Sequence, residues 1–331
     1  GANAYSQLGE GTQTARSRPT QLAGGLLQLT QVSAGTGFAC GLATNGAAYC
    51  WGSNSWGQLG IDTADVDQHA TPNLVVGGHT FQQISVGYAH VCALDTDGAV
   101  WCWGAFSEGN LGVATADRFS RPLHVASVLR FTQVDVGGNT SCALAESGDI
   151  WCWGYNGYGG VGNNSTDAQV YVPARVAGGR SYTQVSVGTY HTCGVSLGAV
   201  YCWGRNQQGQ LGTGSTTPGW ELQPVPALGA LGVTMRVAAG TTHTCALNSQ
   251  GETYCWGTNA NGELGDGTTT TRLTGVPTSG GVLFVAITAG LNHTCGLRQN
   301  GATYCWGLNG SGRLGDGTLT QRTVPTQVAV P

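Results

Sequence analysis

Charged side chains are scarce in this chain. Asp, Glu, Lys and Arg make up 9% of the 331 residues, and the formal net charge is -4. The 13 basic residues, all of them Arg, are scattered and form no basic stripe that could neutralise phosphates. We therefore expect no nucleic-acid partner and no electrostatic attraction to an anionic membrane surface.

Long apolar runs are missing as well. No stretch approaches the roughly 20 apolar residues that a membrane helix needs, so we expect no membrane insertion. The single Met is Met235 and no charged-then-apolar leader precedes Gly1, which we interpret as a processed product or a trimmed segment. No segment has a sustained 3.6-residue period, whereas short alternating runs bounded by Gly, Asn and Pro are frequent. The pattern is typical of β-strands, with little helix.

Cysteine, in contrast, recurs with a period. Six copies of Cys, eight or nine residues, then Cys-Trp-Gly follow one another about 51 residues apart. Self-similarity at this period, with much Gly, indicates a propeller or solenoid in which each unit packs on its neighbours. We therefore expect one domain over residues 1–331. The copies use all twelve cysteines, in six pairs: Cys40 and Cys50, Cys92 and Cys102, Cys142 and Cys152, Cys193 and Cys202, Cys245 and Cys255, Cys295 and Cys305.

The spacing inside five of these copies predicts a β-hairpin with a three-residue loop. Such a loop combines a type I turn with a left-handed residue, which Gly adopts without strain. In the last copy, counting outward from Asn300 places Cys295 directly opposite Cys305. A pair without hydrogen bonds between its residues has Cα atoms about 4.5 Å apart, close enough for a disulfide.

The fourth copy is one residue shorter and tests this interpretation. Its hairpin tip becomes the two-residue turn Leu197-Gly198, so both arms shift together and Cys193 again faces Cys202. Because a two-residue turn of this kind needs positive φ at its first position, we expect strain at Leu197.

Six disulfides would require an oxidising compartment. Two other interpretations stay open, namely buried free thiols in a cytosolic protein and a zinc site. Zinc knuckles usually have closer Cys-x2-Cys pairs, so we expect disulfides and no metal or cofactor. The expected location is secreted, on the cell surface or periplasmic.

The loop after each hairpin carries a second motif. Trp51-Gly52-Ser53-Asn54 and Trp203-Gly204-Arg205-Asn206 both continue to Gly-Gln-Leu-Gly. With the preceding Gly-x-x-His elements, these motifs resemble the regulator of chromosome condensation repeat family over nearly the whole chain. The chain looks like a disulfide-containing, secreted member of bacterial type. The resemblance implies a β-propeller, typically with seven four-stranded blades.

The hairpin occurs six times, but the loop motif occurs seven times. The additional loop motif lies in residues 1–25, which we interpret as a half-repeat ahead of six repeats of about 51 residues. We therefore predict an all-β, seven-bladed propeller in which one blade is incomplete at the N-terminus, its hairpin being missing upstream or supplied by residues outside this sequence. The alternative is a six-bladed ring, in which residues 1–25 would be redundant with the C-terminal half-unit.

Histidine and tryptophan recur at fixed places in the repeat. The His two residues before Cys could form a ring of ligands, but Phe38 and Thr140 stand at equivalent places, so we expect a hydrogen bond within each blade. The Trp of Cys-Trp-Gly is expected to pack between adjacent blades. The recurrent histidines are His90, His191, His243 and His293.

One position in the loop motif varies while the residues around it stay the same. If the loops emerge on one rim, the aromatic residues at or near this position form an arc that could bind a partner. The alternative is that these rings pack back onto their own blades. The expected binding residues are Tyr5, Trp56, Phe106, Tyr155 and Tyr158.

No nucleophile elbow, phosphate-binding loop or metalloprotease helix is present, so we expect no enzyme and no catalytic residue. The sequence therefore favours an extracellular or cell-surface scaffold that binds a protein partner through loops on one rim. A carbohydrate-binding propeller and a structural subunit of an extracellular assembly are the alternatives, so a glycan is a second possible ligand.

Overall fold

The computed structural model describes residues 1–25, 27–114 and 119–330 and contains six antiparallel sheets of four strands each. In every sheet the strands lie in chain order, so each sheet is built from one continuous stretch of chain. We call the sheets blades one to six. The first strand of each blade lines a central channel, and the fourth strand lies outermost.

The strands of the first three blades are β1 Leu29–Ala34, β2 Phe38–Ala43, β3 Ala48–Ser53, β4 Gln68–Leu74; β5 Phe81–Val86, β6 His90–Asp95, β7 Val100–Gly104, β8 Phe119–His124; β9 Phe131–Gly137, β10 Thr140–Ala145, β11 Ile150–Tyr155 and β12 Gln169–Arg175. Those of the last three are β13 Gln184–Val187, β14 His191–Ser196, β15 Ala199–Arg205, β16 Trp220–Pro226; β17 Thr234–Ala239, β18 His243–Asn248, β19 Thr253–Gly257, β20 Arg272–Pro277; β21 Ala286–Ala289, β22 His293–Leu297, β23 Thr303–Gly307 and β24 Arg322–Gln327.

The prediction of seven blades is wrong, because the structure has six blades of four strands, which was the alternative. Residues 1–25 carry a copy of the loop motif but form no strand. A blade is a sheet, and a sheet needs the paired strands of a hairpin. Counting loop motifs therefore overestimated the number of blades by one.

Residues 1–25 connect blade six to blade one on the outside of the ring. The carbonyl oxygen of Gln7 accepts a hydrogen bond from Trp51 Nε1 at 3.0 Å, and Gly11 donates its N–H to the carbonyl of Ala70 in blade one. On the other side, the N–H of Gly317 in blade six bonds the carbonyl of Ser17 at 2.8 Å. The half-repeat thus acts as an outer bridge rather than as a redundant copy.

Where blade six faces blade one, the apolar faces of both blades stay exposed. Leu297 of blade six is 40% exposed, although its equivalents Leu42, Leu94, Leu144, Val195 and Leu247 are at most 5% exposed. Likewise Val32 of blade one is 58% exposed, whereas the equivalent Ile84 is 1% exposed. At the other five interfaces these apolar faces cover one another, and they form the hydrophobic core of the protein.

All six expected disulfides are present, and no cysteine is free. Each bond joins directly opposed residues on the second and third strands of one blade, with Cα atoms 4.0 to 4.2 Å apart. The hairpin register predicted from the cysteine spacing is therefore confirmed in every blade. The bonded pairs are Cys40 with Cys50, Cys92 with Cys102, Cys142 with Cys152, Cys193 with Cys202, Cys245 with Cys255, and Cys295 with Cys305.

The hairpin turns adopt the expected backbone geometry. The glycine at the end of each three-residue loop has positive φ, for example 79° at Gly46 and 82° at Gly301. In the shortened fourth copy, Leu197 has φ of 51° and its side chain is 99% exposed. The left-handed conformation is costly for a residue with a Cβ atom, so the expected strain at Leu197 is confirmed.

Five of the six repeated tryptophans pack between blades, as predicted, and Trp51 packs between blade one and residues 1–25. Each side chain is at most 2% exposed, and its Nε1–H donates to a main-chain carbonyl in the preceding unit at 2.8 to 3.0 Å. A buried indole N–H without such a partner would cost free energy. The residues are Trp51, Trp103, Trp153, Trp203, Trp256 and Trp306.

A second contact between blades runs along the channel. The amide of Gln133 donates to the carbonyl of Val185 at 2.8 Å and accepts the N–H of the same residue at 3.0 Å. Gln31 and Gln184 bind the next blade with the same pair of hydrogen bonds, and Gln83 accepts the corresponding N–H. These glutamines bind main-chain N–H and C=O groups at the inner edge of the next sheet, where no neighbouring strand is present to pair with them.

Two residues further along the same strands, a side-chain oxygen accepts another N–H from the next blade. Ser33, Ser85 and Ser186 use a hydroxyl, and Asp135 uses a carboxylate that lies 2.7 Å from the Val187 nitrogen. Blade five has Arg236 and Ala238 at these two places. Within the described residues, neither contact is made between blades five and six.

Three of the four repeated histidines bridge blades, so for these three the expected bond within a blade is wrong. His90 Nε2 lies 3.0 Å from Ser141 Oγ of the next blade, and His191 and His243 make the equivalent contact with a threonine. Because Ser141 donates its single proton to the carbonyl of Asn110, His90 must donate from Nε2. Burial lowers the pKa of His90 to about 3, so the imidazole is neutral and its proton is on Nε2.

Relieving the strain at the shortened turn should stabilise the protein. Asn tolerates left-handed φ and Asn-Gly is favoured in this turn, so Leu197→Asn should raise the free energy of unfolding by about 1 kcal/mol. Urea denaturation measures the change. Leu319→Asn is the control, because Leu319 is 63% exposed and has no positive φ. Equal effects of the two substitutions would contradict the strain.

Stability should decrease in acid. Burial lowers the pKa of His90, His191 and His243 to about 3, so the folded state stays unprotonated while the unfolded state binds protons below its pKa of 6.5. The contribution of these histidines to the free energy of unfolding is complete above pH 6.5 and is lost as the pH falls from 6.5 towards 3. Burial raises the pKa of Asp135 to about 6, which has the opposite effect between pH 3.8 and 6.

Burial also lowers the pKa of His293 to about 4, so four histidines outweigh one aspartate in this balance. We expect the free energy of unfolding to fall by about 1.4 kcal/mol or more per pH unit between pH 6 and pH 4. Urea titrations at pH 7, 6, 5 and 4 measure the slope. A flat profile over this range would show that the buried histidines are protonated in the folded state.

Candidate protein-binding rim

Two kinds of loop meet on one rim of the propeller. The first is the turn between the first and second strands of a blade, and the second is the loop that follows the third strand. They are joined by main-chain hydrogen bonds, such as Ser53 N–H to the Gly37 carbonyl at 3.0 Å and Arg205 N–H to the Tyr190 carbonyl at 2.9 Å. We call this side of the molecule the loop rim. The disulfide-linked hairpin tips lie on the opposite rim.

A buried asparagine organises the loop after the third strand. Asn54 is fully buried, its Oδ1 accepts the N–H of Leu59, and its Nδ2 donates to the carbonyl of Thr63 at 3.0 Å. One side chain thus binds both halves of the loop and fixes its path. The Oδ1 contact recurs at Asn3, Asn156, Asn206, Asn259 and Asn309.

The backbone at the variable position is also fixed in several copies. Gln7 Oε1 accepts the N–H of Tyr5 at 2.9 Å, and Gln58 Oε1 accepts the N–H of Trp56 at 2.8 Å. The side chains of Tyr5 and Trp56 nevertheless remain 51% and 54% exposed. A fixed backbone therefore presents two half-exposed aromatic rings.

Tyr5 and Trp56 line one cavity of about 590 Å³, together with Tyr88 and Leu291. The remaining lining residues are Thr36, Ser53, Ser55, Gln58 and Ala89, so none of the described residues around this cavity is charged. The site combines apolar surface with hydroxyl and amide groups. This composition is typical of a binding pocket.

The other three predicted residues do not line this pocket. Phe106 is half-buried, packs on the core between blades two and three, and stacks on Tyr171 with ring centroids 6.3 Å apart. Tyr155 and Tyr158 contact each other edge to face at 5.9 Å. The five rings therefore occupy three places on the loop rim, with Tyr5 beside Trp56, Tyr155 beside Tyr158 and Phe106 apart from both pairs, and their role in binding stays a prediction.

Tyr155 and Tyr158 belong to a second cluster, which we call the Tyr–Arg patch. Tyr190 lies 6.4 Å from Tyr155 and 5.6 Å from Tyr158, and the ring of Trp220 lies 6.5 Å from Tyr158. The guanidinium carbon of Arg205 is 5.2 Å from the Tyr158 centroid and 5.4 Å from the Tyr190 centroid. Burial is the main cause that raises the pKa of Tyr155 and of Tyr190.

Sequence reasoning missed Tyr88, Tyr190, Arg205 and Trp220. Arg205 could have been noticed, because it stands between Trp-Gly and Asn, where most copies have an uncharged residue. Trp220 could not, because its place depends on strand pairing, which sets it opposite Arg205 at the end of blade four.

The surface of the channel is polar, and its polar groups hydrogen-bond to one another. Asp135 accepts hydrogen bonds from Ser85 Oγ at 2.8 Å and from the Val187 N–H, so its oxygens already have donors. In residues 1–25, 27–114 and 119–330, no three His, Cys, Asp or Glu side chains are grouped as metal ligands. The same part of the chain contains no helix that is long and apolar enough to span a membrane.

Other proteins match parts of this chain in sequence. Probable E3 ubiquitin-protein ligase HERC4 of Homo sapiens is 36% identical over 109 residues, which cover 32% of this chain and 10% of that protein. The match is thus confined to a small part of that relative. The relatives and structures described here come from eukaryotes and give no support to the expected bacterial type.

Solved structures share the fold. Prp20p from Saccharomyces cerevisiae has a TM-score of 0.87 at 23% identity, with 100% of this chain and 85% of that chain covered. The CRINKLY WD40 ectodomain of the Arabidopsis thaliana receptor kinase ACR4 has a TM-score of 0.57 at 20% identity, with 93% and 84% covered. At these identities the similarity concerns the fold alone.

Family models cover almost the whole chain. A model described as RCC1-like domain matches residues 1–280. Two models of the regulator of chromosome condensation (RCC1) repeat match residues 284–313 and 300–331. The blade structure, the repeated Trp-Gly-x-Asn loops and these matches agree, and the chain belongs to the RCC1-like domain family.

Proposed function

We propose that this protein is a non-catalytic scaffold that binds a protein partner through its loop rim. The observation that carries the proposal is the pair Tyr5 and Trp56, which stay half exposed on loops with a hydrogen-bonded backbone. Tyr, Trp and Arg dominate the energetically important contacts of protein interfaces, and the loop rim presents all three.

The fixed loops support this proposal energetically. Association costs free energy when flexible loops and side chains become ordered. Here Asn54 and Gln58 already bind the backbone around Trp56, so little further ordering of the main chain is needed. The partner would contact a surface whose shape is set before binding.

We also propose that the protein works in an oxidising compartment, secreted, periplasmic or on a cell surface. All twelve cysteines form disulfides, and such bonds are rare in the cytosol and nucleus. The ectodomain of ACR4 has a related fold, which is compatible with an extracellular setting. Prp20p is described as binding Gsp1p and histones, an example of this fold binding proteins.

A carbohydrate ligand is the second candidate. The pocket between Tyr5 and Trp56 has aromatic faces on which a sugar ring could stack, and Ser53 and Ser55 add hydroxyl groups. No charged residue lines the pocket, which suits a neutral glycan as well as an apolar peptide segment.

Photo-crosslinking tests the protein partner. With benzoylphenylalanine in place of Trp56, we expect a discrete crosslink to one protein from the extracellular fraction of the source organism. The same probe at Leu197, 99% exposed on the opposite rim, should give none. Excess unlabelled protein should compete, and excess protein carrying both Tyr5→Ala and Trp56→Ala should not. Equal crosslinking from both rims would overturn the proposal.

A glycan array separates the second candidate from the first. Binding that persists at high salt and is lost in Trp56→Ala, in the absence of any protein crosslink at position 56, would favour a carbohydrate-binding propeller. Leu197→Ala serves as the matched control, because it removes an exposed leucine on the other rim.

A further inference from the structure

We infer that the Tyr–Arg patch binds a carboxylate side chain, Asp or Glu, of the protein partner. This inference rests on the proposed function and adds the chemistry of one contact. The patch consists of Tyr155, Tyr158, Tyr190, Arg205 and Trp220 and lies where blades three and four meet on the loop rim.

The head group of Arg205 has a fixed orientation. Its guanidinium lies within 6 Å of two ring centroids, those of Tyr158 and Tyr190, which is the range of cation–π attraction. Nε–H donates to Gln207 Oε1 at 2.9 Å. These three contacts restrain the planar group while leaving the donors on Nη1 and Nη2 for another partner.

No carboxylate of this chain occupies that position. Six ion pairs join described residues, and none includes Arg205. By comparison, Arg272 is paired with Asp266 at 2.8 Å and Arg322 with Asp316 at 2.7 Å. Two arginines that support the loops are thus neutralised by their own repeat, whereas Arg205 is not.

The fold does not require arginine at this position. The residue between Trp-Gly and Asn is Ser, Tyr, Thr or Leu in four other copies, and strand pairing places Ser53 opposite Gln68 where Arg205 is opposite Trp220. The same backbone therefore forms with uncharged residues. Arg205, a cation without an ion-pair partner among the described residues and beside the exposed Trp220, is therefore specific to this copy of the repeat.

The chemistry of the patch favours a carboxylate over a phosphate. A single guanidinium carries one charge, and its parallel N–H groups match a carboxylate in a bidentate pair. Phosphate-binding sites usually assemble several cations around the ligand. The surrounding rings, with Trp220 48% exposed, add apolar surface for a residue next to the acidic one.

Titration with short peptides tests the inference. Hexaglutamate and hexaglutamine peptides are added to isotope-labelled protein, and NMR follows the Arg205 Nε–H and Trp220 Nε1–H signals. We expect hexaglutamate to shift both signals and hexaglutamine to shift neither. Shifts of the same size with inorganic phosphate at equal concentration would overturn the preference for a carboxylate.

Substitutions locate the contact. Arg205→Gln should weaken hexaglutamate binding tenfold or more, and Arg205→Lys should also weaken it because the flat bidentate group is lost. Arg180→Gln is the matched control, because Arg180 also stacks on a tyrosine, 4.3 Å from the Tyr201 centroid. Unchanged affinity in Arg205→Gln, or an equal loss in Arg180→Gln, would overturn the inference.

The two proposals fail separately. If the crosslink at position 56 is retained in Arg205→Gln and hexaglutamate causes no shift, the carboxylate site is wrong and the protein-binding rim stands. If no protein crosslinks at position 56 while hexaglutamate still shifts both signals, the proposed scaffold function is wrong and the carboxylate site stands.

Discussion

Side chains of one blade bind main-chain groups of the next, and the ring depends on this contact. Adjacent blades share no strand pairing, and only isolated main-chain hydrogen bonds join them, such as Phe131 N–H to the Gly98 carbonyl at 2.8 Å. The indole of each repeated tryptophan binds a carbonyl of the preceding unit, and Gln133 satisfies both main-chain groups of Val185. Apolar packing supplies most of the stabilisation, and these hydrogen bonds fix how each blade is oriented.

The loop rim combines a fixed backbone with positions at which the side chain varies from one repeat to the next. Within one loop, Asn54 and Gln58 hold the backbone, while the side chain of Trp56 between them stays 54% exposed. Each repeat therefore offers one place where a residue can change without loss of the fold. The aromatic pocket and the Tyr–Arg patch both use such places, on different parts of one rim.

Much of the fold follows from local spacing in the sequence. The distance between Cys295 and Cys305 determines a hairpin register, and the same count predicted strain at Leu197; both concern residues close in the chain. The number of blades did not follow, because the loop motif in residues 1–25 is local whereas a blade requires paired strands. A count of motifs was used where a count of hairpins was needed.

The candidate site shows the same limit. Tyr5, Trp56, Tyr155 and Tyr158 could be found because they occupy or adjoin one position of a visible motif. The surroundings of Arg205 could not, since Tyr190 and Trp220 reach it through a turn and a strand pairing. The partners of the histidines were misjudged for a related reason: Ser141, the partner of His90, lies 51 residues away and in the next blade.

Blade five lacks the channel contacts that the first four blades make, since Arg236 and Ala238 replace the glutamine and the serine or aspartate. Its seam with blade six is held by the Trp306 indole, the His243 bridge, apolar packing and main-chain hydrogen bonds such as Gly267 N–H to the Thr323 carbonyl at 2.9 Å. The ring is therefore mechanically uneven. Among the five seams at which two blades pack directly on each other, this one would open most easily on heating, while the disulfides kept each hairpin intact.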